Sequence, residues 1–283
     1  MTGSVELSGL RLSNPLMLAS GTWGFGETLS PEILRSVGAL VTKGISLEPR
    51  AGNPPPRLSE TPCGLLNSIG LENPGLAAFR KGILPRLLRI GPPVIVNILG
   101  ESEEEFLRLA EGLRETGVAG LEVNISCPNV KKGGLAFSQD PDGVFRMVRR
   151  LREVWPGWMS VKLSPVGPVA EVAHAAEEGG ASALTCANTY PALAIHPGPK
   201  GPYFHLGGLS GPAIKPLTLR LVYELSRRLR RPLIACGGIL SGRDAYEYLL
   251  AGARAFQVGT ATLLDPEAPR RILSELDELS RAD

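Results

Sequence analysis

The residues able to do chemistry in this chain gather where short apolar runs stop. In order, the ends of eight such runs carry Ser20-Gly21, Lys43-Gly44, Asn97, Asn124, Lys162, Asn188-Thr189, Gly237-Gly238 and Gly259-Thr260. Each alone is an ordinary polar start to a loop; together they place two Lys and three Asn at equivalent points. Lys is scarce, seven of thirty basic residues, which adds weight to Lys43 and Lys162. An ammonium at such a point can neutralise an anionic ring, such as the edge of a reduced flavin, or pair with a neighbouring strand's carboxylate. Asn97 and Asn124 offer both donor and acceptor, as the edge of a pyrimidine or an isoalloxazine requires. Gly237-Gly238 and Gly259-Thr260 read as a phosphate cradle, with backbone N–H groups close to the anion and helix N-termini behind them.

Cys127 follows the fourth run, in Asn124-Ile125-Ser126-Cys127-Pro128-Asn129. A thiol there is a base or nucleophile if its thiolate is favoured, and otherwise a small inert hydrophobe. Cys186 and Cys236 fit the inert reading because both lie in apolar runs, whereas Cys63, between Pro62 and Gly64, fits either. The four Cys are fifty or more residues apart, and His174, His196 and His205 have no ligand spacing, so no metal site is expected.

These residues need elements to hold them. The apolar runs Leu16–Ala19, Ala39–Thr42, Val94–Ile98, Leu121–Ile125, Met159–Leu163, Ala183–Ala187, Leu233–Ala235 and Ala255–Val258 read as strands with apolar bodies. Helical patterns lie near 74–90, 102–116, 141–154, 168–178, 213–230, 242–251 and 266–281, with a shorter one from Pro31. Ser102 followed by three Glu, and Ser241 before Gly242-Arg243-Asp244, are helix starts. Eight strands alternating with eight helices predict a single (β/α)8 TIM barrel over residues 1–283. No GxGxxG follows the first strand, which disfavours a doubly wound open sheet. Val5–Leu12 reads as a hairpin plugging the barrel floor. Tyr190 to Leu209 is long for a strand-to-helix loop, which suggests a lid or binding surface, and Gly133-Gly134 suggests a hinge.

The chain has 283 residues, 43% hydrophobic and 20% charged, with a formal net charge of +2. That balance gives no basic stripe for nucleic acid. The apolar runs are too short for a membrane span, and Met1-Thr2-Gly3-Ser4 does not open a signal peptide, so a cytoplasmic enzyme is expected. Phosphate cradles also serve non-redox barrel lyases and isomerases, and that alternative stays open on these observations.

Asn124-Ile125-Ser126-Cys127-Pro128-Asn129-Val130 with Lys131-Lys132-Gly133-Gly134 resembles the active-site loop of class 1 dihydroorotate dehydrogenases. Asn67-Ser68-Ile69-Gly70-Leu71-Glu72-Asn73-Pro74-Gly75 resembles their orotate-binding loop, and Gly207-Gly208-Leu209-Ser210-Gly211-Pro212 also matches. The resemblance covers nearly the whole chain. It implies FMN at the barrel mouth and oxidation of (S)-dihydroorotate to orotate in pyrimidine synthesis. Cys127 is then the base for the C5 proton, while the C6 hydride goes to flavin N5. Ser20, Lys43, Gly44, Asn97, Asn124, Lys162, Ala187 and Gly211 would touch FMN, with Gly237, Gly238, Gly259 and Thr260 near its phosphate. Lys43, Asn67, Ser68, Ile69, Gly70, Leu71, Asn124, Asn129, Asn188 and Thr189 would hold the substrate.

Class 2 relatives carry Ser at the position of Cys127 and a membrane-binding extension. The motifs look most like the NAD-linked class 1B, in which a homodimer core pairs with a subunit holding FAD and a 2Fe–2S cluster. Pro197-Gly198-Pro199-Lys200-Gly201-Pro202 departs from the usual class 1B lid in its Pro content, and the fumarate-linked class 1A homodimer is the alternative. A tRNA-dihydrouridine synthase would be more basic and would continue into a helical RNA-binding domain.

Overall fold

The computed structural model describes residues 2–126, 138–199 and 201–282. Strands β1 (Val5–Glu6) and β2 (Arg11–Leu12) pair antiparallel as the expected hairpin. β3 (Leu16–Leu18) and β4 (Ala39–Val41) open a parallel barrel, and β5 (Leu58–Thr61) and β6 (Gly64–Asn67) leave it. β7 (Val94–Ile98), β8 (Gly120–Asn124), β9 (Trp158–Lys162) and β10 (Ala183–Cys186) continue it. β11 (Tyr190–His196) and β12 (Tyr203–Ser210) leave again, and β13 (Leu233–Cys236) and β14 (Ala255–Val258) close the ring against β3. With helices between its strands, this is the expected (β/α)8 barrel.

The side chains inside the ring form layers, because alternate residues of a strand share a face. The lower layer holds Met17, Val41, Ile95, Trp158, Ala183, Ile234 and Ala255, packed on Leu7, Leu10 and Leu12 of the floor hairpin. Trp158 fixes the plug by donating its Nε1–H to the Leu7 carbonyl at 2.6 Å. The indole fits because β8 has Gly120 opposite, where a Cβ would lie 2.6 Å from Trp158 Cε3. Two residues further along five of the strands the layer is polar: Asn97, Glu122, Ser160, Thr185 and Gln257, all buried. The expectation of apolar strand bodies is therefore corrected. Only the lower layer and the outward faces are apolar.

The helices begin where their caps predict. Ser102 Oγ accepts from the Glu105 N–H ahead of Glu103–Leu113, and Asp140 accepts from Gly143 N–H ahead of Pro141–Val154. Ser241 and Asp244 form a reciprocal capping box on Gly242–Leu250. The pattern near 74–90 is two α-helical turns joined by a π-helical turn over Phe79–Ile83, just before Pro85. A further short helix, Thr260–Leu264, precedes Ala268–Ala282. Among the described residues no helix is long and apolar enough to cross a membrane.

The segment after β10 differs from the long loop expected there. β11 and β12 form a hairpin of seven paired positions, and β12 also pairs with β6, giving an antiparallel sheet in the order β11-β12-β6-β5. This sheet stands over the barrel mouth and suspends the Asn67–Leu71 loop above it. Gly133-Gly134, the suggested hinge, lies outside the described residues, as do Cys127 and Asn129.

Candidate active site

A cavity of about 260 Å³ opens at the C-terminal ends of the barrel strands, roofed by the four-stranded sheet. Its lining includes Ser20, Lys43, Gly44, Asn97, Asn124, Lys162, Ala187, Gly211, Gly237, Gly238, Gly259 and Thr260, together with Asn67, Ile69, Gly70, Leu71, Asn188 and Thr189. Ser68 points elsewhere: its Oγ accepts from Asn53 Nδ2 at 2.9 Å, tying the loop to the segment before β5.

Backbone periodicity explains the convergence. Lys162, the last residue of β9, lies two past Ser160; Asn124 lies two past Glu122 on β8. Both strand-end residues are therefore turned inward. The Asn124 Oδ1 accepts from Ser126 N–H and Oγ–H, leaving Nδ2 for a ligand. Asn188 donates its Nδ2–H to Ser126 Oγ at 2.7 Å, and its Oδ1 accepts from Thr189 N–H. Ser126, buried and adjoining Cys127, thus locks two of the cavity amides. Asn67 donates to the Gly208 carbonyl across β6 and β12 and keeps its Oδ1 for a ligand.

Both lysines have carboxylate partners. Lys43 Nζ lies 3.3 Å from Glu72 Oε2, which Arg57 also contacts at 2.8 Å. Hydrogen bonding and charge from Lys43 hold the Glu72 carboxyl below its ordinary range, Arg57 adding to the effect. Lys162 Nζ lies 3.8 Å from Glu122 Oε1, with both side chains buried. Burial opposes charge on Lys162, but the Cys236 sulfur and Glu122 beside it outweigh burial and hold the ammonium above its usual range. Burial in turn pushes the Cys236 thiol up, with Lys162 opposing and Glu122 adding to the rise. Lys162 is thus paired to a neighbouring strand's carboxylate and also lines the cavity. Cys186 is buried, and burial with the nearby Cys236 raises its pKa, consistent with an inert thiol.

Glu122, Gln257 and Glu72 were not singled out as functional by the sequence reading. Glu122 accepts from Asn97 Nδ2 at 2.8 Å, Thr185 Oγ1 at 2.9 Å and Gln257 Nε2 at 2.6 Å. Asn97 Oδ1 and Gln257 Oε1 remain buried without a hydrogen-bond partner among the described residues, although both residues line the cavity. Unpaired buried acceptors are costly, so they mark where a ligand's N–H groups belong. On the same lining, Gly238 adopts φ +68°, and a Cβ there would sit 2.6 Å from that of Lys215. This close turn, with Gly237, Gly259 and Thr260, suits a phosphate. The Gly242–Leu250 helix does not add its N-terminus as expected, because its first N–H groups go to Ser241, Asp244 and Glu275. Acceptors, an ammonium and a glycine cradle lining one cavity fit FMN.

Comparison with known proteins shows the same fold and a family. A dihydroorotate dehydrogenase from Eimeria tenella, solved in complex with ferulenol, superposes with a TM-score of 0.81 at 24% identity, covering 99% of this chain and 85% of that one. That match shows the fold. In sequence, the chain is 46% identical over 282 residues to the protein named dihydroorotate dehydrogenase B (NAD(+)), catalytic subunit, of Thermoanaerobacter pseudethanolicus, covering 98% of this chain and 93% of the relative. It is 48% identical to the protein of the same name from Desulforudis audaxviator, covering 97% and 91%. The dihydroorotate dehydrogenase family profile matches residues 3–279. With the barrel, the inward-facing amides and a match of this extent, the chain belongs to the dihydroorotate dehydrogenase family.

Proposed function

We propose that this chain oxidises (S)-dihydroorotate to orotate in de novo pyrimidine synthesis, as the catalytic subunit of an NAD-linked enzyme. The observation that carries the reading is the convergence of Asn67, Asn124, Asn188, Lys43 and Lys162 on one cavity whose lining holds two acceptors unpaired among the described residues. FMN, bound in this single barrel domain, supplies the two-electron acceptor.

The chain's own residues do the rest. Gly237, Gly238, Gly259 and Thr260 hold the phosphate end, and Ser20, Gly44, Ala187 and Gly211 border the remainder. Lys162 would hold the polar edge of the ring with positive charge. Lys43 answers the substrate carboxylate, while Asn67, Asn124 and Asn188, with Asn129 by resemblance, read its imide edges. Cys127 takes the C5 proton; its neighbour Ser126 is held by Asn124 and Asn188. A thiol with an ordinary pKa of about 8.5 makes this step faster toward alkaline pH.

The relatives' designation as catalytic subunits supports a partner, which we assign FAD and a 2Fe–2S cluster. Two catalytic chains form the core of the heterotetramer, in the cytoplasm. Anaerobic addition of dihydroorotate to the purified chain is expected to bleach its oxidised-flavin absorbance, after which NAD with the partner, and fumarate, can be compared as acceptors. A flavin that stays oxidised would refute the substrate. A colourless protein that FMN does not reconstitute would refute the flavoenzyme reading.

A further inference from the structure

We infer that Glu122 is a positioning residue that sets the hydrogen-bonding polarity of the cavity floor. The inference rests on FMN being the cavity's ligand, and it concerns which way two amides face rather than whether the flavin binds. An ionised carboxylate only accepts hydrogen bonds. Glu122 is buried in the barrel's polar layer, and its two oxygens are surrounded by donors: Asn97 Nδ2 and Lys162 Nζ near Oε1, Thr185 Oγ1 and Gln257 Nε2 at Oε2. Each amide must turn its nitrogen toward Glu122, which leaves its carbonyl oxygen for the cavity. The two orphaned atoms, Asn97 Oδ1 and Gln257 Oε1, are the result. The same carboxylate stands beside the Lys162 ammonium. One anion outside the cavity lining therefore creates a pattern of two acceptors and one cation inside it. This complements a ring edge that offers an N–H, as the isoalloxazine does at N3, beside carbonyl oxygens.

Glu122→Gln tests this without changing volume. The substituted amide has one acceptor and one donor end. Its donor end avoids the Lys162 ammonium and turns toward residue 257, so Gln257 flips and presents NH2 where the ligand needs an acceptor. FMN affinity of the refolded apoprotein, followed by quenching of flavin fluorescence, is expected to fall about tenfold to a hundredfold. Adding Gln257→Glu restores the pattern. The amide at position 122 then donates to the new carboxylate, whose second oxygen faces the cavity, and the affinity is expected to return to within about threefold of wild type. Urea midpoints of the same variants distinguish a merely structural role, in which affinity would change only in step with stability.

Should E122Q alone fail to refold, Q257E alone replaces it as the comparison. It sets two carboxylates face to face and is expected to lose FMN affinity that E122Q then restores. Wild-type affinity in E122Q, or a double variant no better than either single one, would overturn the inference. Failure of the wild-type apoprotein to bind FMN would instead overturn the flavin reading itself.

Discussion

Replacing Lys162 by Met should destabilise the fold as well as disable the site, and the two effects can be separated. The side chains of Lys162 and Glu122 are 6% and 1% exposed, so the substitution strands a carboxylate inside the barrel. Breaking a buried pair from one side costs about 3–5 kcal/mol. Glu122 keeps three hydrogen-bond donors, from Asn97, Thr185 and Gln257, so the lower end, about 3 kcal/mol, is appropriate. At this chain length that corresponds to a fall in Tm of about 6 °C. The assay is thermal and urea unfolding of the apoprotein, so that lost cofactor binding does not add to the difference. The Lys162 pKa is raised in the folded state. Its contribution is therefore fully present below the unfolded value near 10.5 and is lost as pH rises through the folded value. The gap between wild type and K162M should be steady from neutral pH to about pH 10 and close above it. K162M combined with E122Q should regain part of the loss, because no stranded charge remains. A K162M apoprotein that unfolds with wild type, or a double variant no more stable than K162M, would refute the reasoning.

Cys127→Ser should retain FMN but lose most turnover near neutral pH, since a hydroxyl is far harder to deprotonate than a thiol; undiminished turnover would remove Cys127 from the mechanism. Gly238→Ala forces a Cβ to 2.6 Å from Lys215 at φ +68°. The backbone strain alone is about 1–2 kcal/mol, and FMN content after dialysis should fall; full retention would remove the turn from the phosphate site. Lys215 contacts Asp244 at 2.5 Å and Glu247 at 2.7 Å. Burial pushes the Asp244 carboxyl up, but Lys215, the Leu240 N–H and Ser241 outweigh it and hold it low. Stability from this group is thus present above the unfolded carboxyl value and lost as pH falls through the depressed one. Lys215→Met should start the acid-side loss at higher pH, read from urea midpoints between about pH 7 and pH 3; an unchanged acid limb would contradict it.

The barrel was legible because each of its strands is a short apolar run bounded by a cap or a Gly turn. The strand-end residues were legible for the same reason, since a change from apolar to Lys, Asn or Gly is a sharp signal. The polar middle layer was not, because Glu122 and Gln257 sit one at a time inside apolar runs, where a single polar letter looks like noise. The signal that could have found them is parity: Glu122 lies two before Asn124, Ser160 two before Lys162 and Gln257 two before Gly259. The roofing sheet was hidden for a different reason. Leu58-Ser59-Glu60-Thr61 is too short and mixed to read as a strand, and in Ala192-Leu193-Ala194-Ile195 both faces are apolar, so period-two alternation vanishes. Its order comes from pairing between segments far apart in the chain, such as Asn67 with Gly208. Local reading has no access to that.

The roofing sheet hangs its loop from an inner strand. Leu65 to Asn67 of β6 pair with β12 on one side and with β5 on the other, whereas β11 and β5 are the sheet's margins. Fraying starts at margins, where half the backbone amides answer only to water, so amide-proton exchange should be fast along the outer edge of β11 and slow at Leu66 and Asn67. The roof can breathe at its rim while the Asn67–Leu71 loop stays seated.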